Sequence, residues 1–558
     1  MTQSTVGDYL LQRLREIGVR HVFGVPGDYQ LEFLEQLERT DGIEWVGNCN
    51  ELNAAYAADG YGRLNGIAAL VTTFSVGELS ALTGVGGAFA ESVPLVSIVG
   101  TPATFVMQAK RTVHHTTGDG DFTHAAKCAR EYTVAQAQLD RDNAAMEIDR
   151  VLRLCWLFKR PVYIMLPSDV AGQRIAAPSG PLMLPEPSSD PGKLATFARQ
   201  AGDLLQGTNS VAVLVGHEVD RYRLAPQVIG LAEALGCPVA CLSSAKGVFP
   251  ETHEQFVGGY AGELSDPYVQ RTVERAGCLI AVGTEFSDAV TGGFTQHIDQ
   301  SRVIELHPAA AAVGGMRHGH VAMKDALQAL ARPQYRKAAD IAPLSERRRE
   351  AVIEPVPSQR LVQERFWRQL AAFFEPGDVV IAEQGTSYFG SAEQPLPRDC
   401  TFVGQPLWGS IGYTLPSLLG TMLAAPDRRH VLLIGDGSFQ LTAQELATVL
   451  RLGLNPVIVL INNGGYTVER CILGADAPYN SIAPWRYGRL VEAFDPHERA
   501  VTFQVRTEEE LATALGMAGR TRDRPIFVEA FMEALDAPES AVRIGQAFAA
   551  TDYHHAAA

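Results

Sequence analysis

Two uninterrupted apolar runs, Val431-Leu432-Leu433-Ile434 and Pro456-Val457-Ile458-Val459-Leu460-Ile461, constrain this 558-residue chain more than any other feature. Short, β-branched runs of this kind read as strands buried on both faces. Between them, Gly435 to Ser438 reads as a tight turn, and Phe439, Ala443, Leu446, Ala447 and Leu450 recur at helical spacing. A strand, helix, strand unit of this length must be a parallel, right-handed crossover. The alternation continues along the chain, in Ala68-Ala69-Leu70-Val71, Val93 to Val99, Val162 to Leu166, Val211 to Gly216, Cys278 to Gly283 and Val303 to Leu306. The expected fold class is therefore α/β, with three Rossmann-like domains whose parallel sheets are flanked by helices.

Two stretches read as linkers and set the domain count. Ala177 to Pro191 is rich in proline and serine, and Arg332 to Pro357 carries the charged run Ser345-Glu346-Arg347-Arg348-Arg349-Glu350 before Pro355 and Pro357. They delimit domains at 1–180, 192–335 and 358–558, which suits a chain of this length. The first opens with an amphipathic helix from Tyr9 to Ile17, stopped at Gly18, before Val22-Phe23-Gly24-Val25. No Gly-x-Gly-x-x-Gly fingerprint follows the strands of the middle domain, so a structural or regulatory role is favoured there over dinucleotide binding.

Composition excludes several partner classes. A net charge of −16, with no stripe of lysine and arginine, argues against nucleic acid and anionic membrane. Met1 to Leu10 lacks a basic stretch followed by an apolar one, and no apolar run approaches the roughly 18 residues of a membrane span. A cytoplasmic enzyme is the expectation. Eight cysteines are scattered, several inside apolar strands, which favours reduced, buried thiols. Cys237 and Cys241 lack the second pair that a zinc site would need. The tandem His554-His555 reads as a solvated tail.

Chemistry enters with Gly435-Asp436-Gly437, twenty-four further residues, then Asn462-Asn463. Asp436 and Asn463 then project from the carboxyl ends of adjacent strands, where open α/β sheets hold ligands. An acid and an amide there suit Mg²⁺, which shares phosphate oxygens rather than sitting in an all-protein cage. The glycines let backbone N–H groups and a helix N-terminus approach a diphosphate. A Gly-Asp-Gly turn alone is usually only a turn; the asparagine pair at this spacing makes it a signature.

That signature resembles the pyruvate decarboxylase family of thiamine diphosphate (ThDP) enzymes. So do Glu51 in Asn50-Glu51-Leu52-Asn53-Ala54, the pair His114-His115 before Thr116-Thr117-Gly118-Asp119-Gly120-Asp121-Phe122, and Trp408-Gly409-Ser410-Ile411-Gly412. The closest look is to the decarboxylases of indolepyruvate, phenylpyruvate and branched-chain keto acids. The resemblance implies the ThDP-binding fold, with 1–180 as pyrimidine domain and 358–558 as diphosphate domain. It also implies non-oxidative conversion of a 2-keto acid to an aldehyde and CO₂ through a ThDP ylide and enamine.

The same resemblance carries roles onto single positions. Asp436, Asn463 and the Gly465 carbonyl correspond to the Mg²⁺ ligands, and Thr386, Gly409, Gly435, Gly437, Ser438 and Tyr466 to cofactor contacts. Ile411 matches the wedge that bends the cofactor, although a lone isoleucine is ordinarily core. Glu51 matches the acid at the aminopyrimidine N1′; its bland alternative is a glutamate favoured at a helix N-terminus. Asp28, His114, His115 and Glu469 match the proton-transferring cluster. Ala289 and Tyr388 fall where pyruvate-specific members carry bulky aromatics. With Gln384, Val468, Ile472, Ile544 and Phe548 they would line the substrate pocket. A small Ala289 implies large aromatic or aliphatic substrates. The loop Cys471 to Asn480 differs from the pyruvate-specific form, and its Leu473-Gly474-Ala475 resembles the His-Gly-Ala of the broader enzymes without the histidine. The family pattern implies a homodimer at least, and a homotetramer, with the cofactor between the first block of one subunit and the third of another. A pyruvate decarboxylase, a ThDP carboligase of the acetolactate synthase kind and a non-catalytic binding protein stand as alternatives.

Overall fold

The computed structural model describes residues 3–347 and 353–553. By internal packing the chain divides into two compact units. One holds the residues up to Glu186 with Gly412–Arg428 and Thr442–Leu454; the other holds Pro187–Ile411, Arg429–Leu441 and the residues from Asn455 onward.

In the first unit six strands form one parallel sheet, in the order Glu44–Gly47, His21–Gly24, Ala68–Thr73, Leu95–Thr101, Val162–Pro167, Ala135–Gln138. The three strands richest in Val, Ile and Leu are buried throughout, as continuous apolar runs require. The opening helix spans Val6–Glu16, starting earlier than the apolar spacing from Tyr9 suggests. Thr5 caps it by accepting a hydrogen bond from the Asp8 N–H at 3.0 Å.

The helix Glu51–Asn65 has no solvent face to speak of: Ala54, Ala55, Ala57 and Ala58 are fully buried. It crosses the helix Thr414–Ala424 at backbone distance. A Cβ on Gly60 would stand 2.3 Å from the Ser417 carbonyl, and one on Gly420 would stand 1.8 Å from that of Ala57. Beside this crossing Arg63 pairs with Asp59 at 2.6 Å and with Glu91 at 3.8 Å, and the Tyr413 hydroxyl donates to Asp59 at 2.5 Å. Such a buried network adds little net stability, yet removing one member costs about 3–5 kcal/mol because its partner stays buried. Its effect is to fix the register of the two helices.

The second unit contains two sheets. The first runs Phe256–Tyr260, Val239–Leu242, Val211–Val215, Cys278–Val282, Val303–His307, Ala310–Val313, Met316–Gly319. Alternate residues feed opposite faces: Val211, Val213 and Val215 join one core, Ala212 and Leu214 the other. Each fully buried Val or Leu contributes about 1.5–3 kcal/mol. The last two strands are antiparallel additions, so this sheet is mixed rather than purely parallel. The first is a run of alanines and the second, Met316 to Gly319, is mostly exposed and polar, so neither gave a strand signal.

The second sheet is wholly parallel, in the order Thr401–Val403, Val379–Ala382, His430–Gly435, Val457–Asn462, Ile526–Phe531, Val501–Val505. The two runs that opened the sequence reading pair directly, as the crossover requires. The connection differs in detail. No separate turn precedes the helix, which begins at Asp436 as the strand ends at Gly435, and it stops at Thr442 before a second helix at Glu445–Arg451. The break is capped by the Thr442 hydroxyl, which donates to the Gly412 carbonyl at 2.7 Å.

The stretch after Ala176 holds no regular element until Pro191, where Asp190 caps the next helix. Arg348 to Glu350 of the second linker, and His554 and His555, lie outside the described residues. Five cysteines are buried, and burial pushes the Cys237 and Cys241 thiols up to about 12. Among the described residues no helix is long and apolar enough to cross a membrane.

Candidate active site

In the second unit, Asp436 and Asn463 stand at the carboxyl ends of neighbouring strands and enclose three oxygens. Asp436 is 1% exposed. Its Oδ2 accepts from the N–H groups of Gly464 at 2.7 Å and Asn463 at 3.1 Å, and its Oδ1 from Gly437 at 2.8 Å. Burial pushes its carboxyl up to about 6, against the pull of these N–H groups.

The Asn463 amide decides what the site can hold. Its Nδ2 lies 2.8 Å from the Thr467 hydroxyl, which itself donates to the Ala534 carbonyl at 2.8 Å. With that proton engaged, Thr467 accepts from Asn463, and Asn463 Oδ1 faces Asp436 Oδ1 at 3.2 Å and the Gly465 carbonyl at 2.9 Å. The swapped amide would donate to both oxygens but would draw the Thr467 proton away from Ala534. We favour the first arrangement, because three converging oxygens form a donor set rather than a conflict once a cation lies among them. Metal–oxygen bonds of about 2.1 Å give octahedral edges near 3 Å. The donor set therefore fits a small, hard divalent cation.

The loop that follows is fixed by close backbone approach. Gly465 has φ +142°, and a Cβ there would stand 2.0 Å from the Asn480 carbonyl, so no other residue fits. Tyr466 donates its N–H to that same carbonyl at 2.9 Å, and its ring covers Gly437. Ser438 is buried in the first turn of the helix that starts at Asp436. Arg470, which the sequence reading passed over, reaches the carbonyls of Gly464 and Asn480 at 3.4 and 3.1 Å. In the same unit Thr386 is buried at the start of Thr386–Ala392. Gly409 and Ile411 lie in an irregular stretch held by Gln405, which accepts from Gly409 N–H at 2.9 Å and Ser410 N–H at 3.2 Å. Ile411 is half-buried, outside the fully buried core.

In the first unit the structure brings Asp28 against a histidine pair more than 80 positions later in the chain. His114 Nε2 lies 2.8 Å from Asp28 Oδ2, and His115 Nε2 lies 4.0 Å from Asp28 Oδ1. Tyr29 was not assigned a role from sequence, yet its ring stacks on His114 at 4.8 Å and meets His115 edge-on at 6.1 Å. Its phenol is raised above the ordinary value by burial and by the Asp28 charge. His115 has φ +62°, a left-handed conformation that a side-chain-bearing residue adopts at a cost and that clusters at functional sites. The Asp119 and Asp121 loop beyond is closed on itself by Thr117, Thr123, His124 and Lys127.

Glu51 is the first residue of its helix, after the Asn50 cap. That position agrees with the dipole reading as well as the catalytic one. Its Oε1 lies against Gly77, where a Cβ would come within 3.1 Å. Among the described residues its carboxylate accepts no hydrogen bond, so it is free to receive one from a bound group.

The remaining assigned residues belong to the second unit. Glu469 is exposed in the short helix Thr467–Ile472, which packs on the C-terminal helix Glu539–Asp552. Tyr388 and Ile544 are buried in one core cluster, with Val468 and Phe548 packed against it. Tyr388 meets Phe402 at 5.7 Å. Gln384, Ala289 and Ile472 are half-buried. A Cβ on Gly293, just beyond the Ala289 helix, would meet Ala547 at 2.9 Å, so that segment also adjoins the C-terminal helix.

Residues 4–121, 198–332 and 385–530 match, in turn, the N-terminal TPP binding domain, the central domain and the C-terminal TPP binding domain of the thiamine pyrophosphate enzymes. An alpha-keto-acid decarboxylase of Mycolicibacterium paratuberculosis is 46% identical over 541 residues, covering 97% of this chain and 96% of that protein. Proteins of the same name from Mycobacterium leprae and Mycobacterium tuberculosis are 45% and 44% identical over 535 residues, covering 96% of this chain and 94% and 95% of theirs. Three matched domains in order, and near-complete overlap with such relatives, mean that the chain belongs to the thiamine diphosphate-dependent 2-keto acid decarboxylase family.

Proposed function

We propose that this protein converts 2-keto acids to aldehydes and CO₂ without oxidation, using ThDP and Mg²⁺. The relatives' shared name supports the reaction class. The observation that carries the reading is the contact of Asp28 with His114 and His115, a proton-transferring cluster that a carboligase does not need.

Asp436, Asn463 and the Gly465 carbonyl would hold the Mg²⁺, and Gly435, Gly437, Ser438, Tyr466, Thr386 and Gly409 would border the cofactor, with Ile411 packed against it. Bound ThDP supplies a carbon nucleophile and a sink for the electron pair left by CO₂. Glu51 holds the proton at the aminopyrimidine N1′. Asp28, His114, His115 and Glu469 deliver a proton to the former keto carbon and ease release of the aldehyde. Residues 1–180, 192–335 and 358–558 act as pyrimidine, structural and diphosphate domains. The active unit is a cytoplasmic homodimer or homotetramer, in which the first block of one subunit serves the third block of another.

Ala289 leaves room that a bulky aromatic would fill, and Gln384, Tyr388, Val468, Ile472, Ile544 and Phe548 complete an apolar pocket. Each buried methylene favours a larger substrate by about 0.8 kcal/mol, so phenylpyruvate, indolepyruvate and 2-ketoisovalerate should exceed pyruvate in kcat/KM. Aldehyde formation across these four acids, with ThDP and Mg²⁺, tests this. A preference for pyruvate would overturn the substrate class, and a 2-hydroxyketone as main product would overturn the reaction. Glu469→Gln should lower kcat by about 100-fold or more, within the range of general acid–base contributions, with ThDP affinity unchanged by calorimetry. An unaltered kcat removes Glu469 from the mechanism.

A further inference from the structure

The Glu51 carboxylate has no hydrogen-bonded neighbour among the described residues to aim it, so its direction depends on the backbone that carries it. That backbone, from the end of strand Glu44–Gly47 to the first turn of Glu51–Asn65, is gripped by a helix almost four hundred positions later. Glu445 is fully buried. Its Oε1 accepts from Asn48 Nδ2 at 2.8 Å, and its Oε2 from Asn53 Nδ2 at 2.8 Å and the Cys49 N–H at 3.3 Å. One turn and more along the same helix, Arg451 donates to the Gly47 carbonyl at 3.0 Å, and just before the helix the Cys49 thiol donates to the carbonyl of Gln444, its N-cap, at 3.2 Å. The segment from Gly47 to Asn53 is therefore tethered at four of its seven residues to one short helix, Glu445–Arg451, and all of this lies within the first unit.

A carboxylate with no exposure is costly unless several donors satisfy it. Here the donors are two side-chain amides and one backbone N–H, on both sides of Glu51 in sequence. An apolar residue would fill the same volume without this cost, so the glutamate is kept for what its two oxygens orient. We propose that Glu445 is a positioning residue for the proposed Glu51 chemistry: it fixes the turn at Asn48 to Asn53, and through it the direction of the Glu51 carboxylate. This rests on the reading of Glu51 given above. Glu445 is fully buried and its carboxylate is taken up by Asn48, Cys49 and Asn53, so its part is to position rather than to react.

The test is Glu445→Gln, which keeps the shape but puts an N–H₂ against donors. In the cofactor-free protein, amide exchange followed by mass spectrometry should quicken about tenfold over residues 47–53, with the melting temperature little changed. In the loaded enzyme kcat should fall about tenfold, at unchanged KM and ThDP affinity. The loss should shrink to less than about twofold when Glu51 is already Gln, the non-additivity expected of residues acting as one unit. Should that variant fail to fold, Asn53→Leu removes one donor and is expected to act in the same direction. Unchanged exchange over 47–53, or equal kcat losses in both backgrounds, would overturn the proposal. A wild-type protein without decarboxylase activity would instead count against the Glu51 reading, while the exchange result would still decide whether Glu445 holds the turn.

Discussion

Asp436→Ala should lose Mg²⁺-dependent ThDP binding, with affinity falling at least about a hundredfold, the upper end of what even outer-shell partners of a metal contribute. Two effects combine. The substitution removes one of three converging oxygens, the other two being Asn463 Oδ1 and the Gly465 carbonyl. It also leaves the N–H groups of Gly437, Asn463 and Gly464 without their acceptor, at about 1–3 kcal/mol for each buried donor that finds no other. The loop bearing Asn463 and Gly465 would then relax, and the diphosphate would lose its anchor. Calorimetric titration of ThDP with and without Mg²⁺ measures this. Cofactor binding within a few-fold of wild type would end the assignment of the metal site. Asp436→Asn separates the two effects, since it retains one acceptor oxygen for the backbone while weakening the charge that holds the cation.

Why this site was legible from sequence, and others were not, follows from range. Asp436 and Asn463 are joined by a single crossover, so local apolar runs determine their juxtaposition. The pairing of Asp28 with His114 came from resemblance alone; no periodicity connects residues 86 positions apart. Glu445 was invisible because a glutamate among helical residues reads as solvated, whereas here its donors come from Asn48, Cys49 and Asn53. The break at Ala443 was missed because the apolar spacing from Phe439 to Leu450 continues across both helices. In the mixed sheet Gly314 and Gly315, with φ +54° and +79°, make the turn between the added strands. Such a pair is a hairpin signal, but it lay between alanines and exposed polar residues that hid the strands. The helix start at Thr5 was likewise written in a capping residue rather than in apolar spacing.

Glu51→Gln should leave ThDP affinity within a few-fold of wild type and lower kcat by about 10²–10⁴, the range that a positioned proton-transfer group supplies. The two outcomes separate because binding and activation are assigned to different residues. Affinity is assigned to the Asp436 and Asn463 oxygens, which this change does not touch. Glu51 sits at a helix start with its Oε1 against Gly77 and with no internal partner, so the amide can occupy the same space without breaking a hydrogen bond of the fold. What it loses is the capacity to hold and return a proton. A stability effect is not expected beyond a few tenths of a kcal/mol from the weaker helix-dipole interaction. That is how the bland reading is told apart: a dipole glutamate predicts a small drop in melting temperature and no change in turnover. Measured side by side, a kcat loss of this size at constant melting temperature supports the catalytic role. A shift in melting temperature with kcat intact would leave Glu51 as a charge favoured by the helix N-terminus and remove it from cofactor activation.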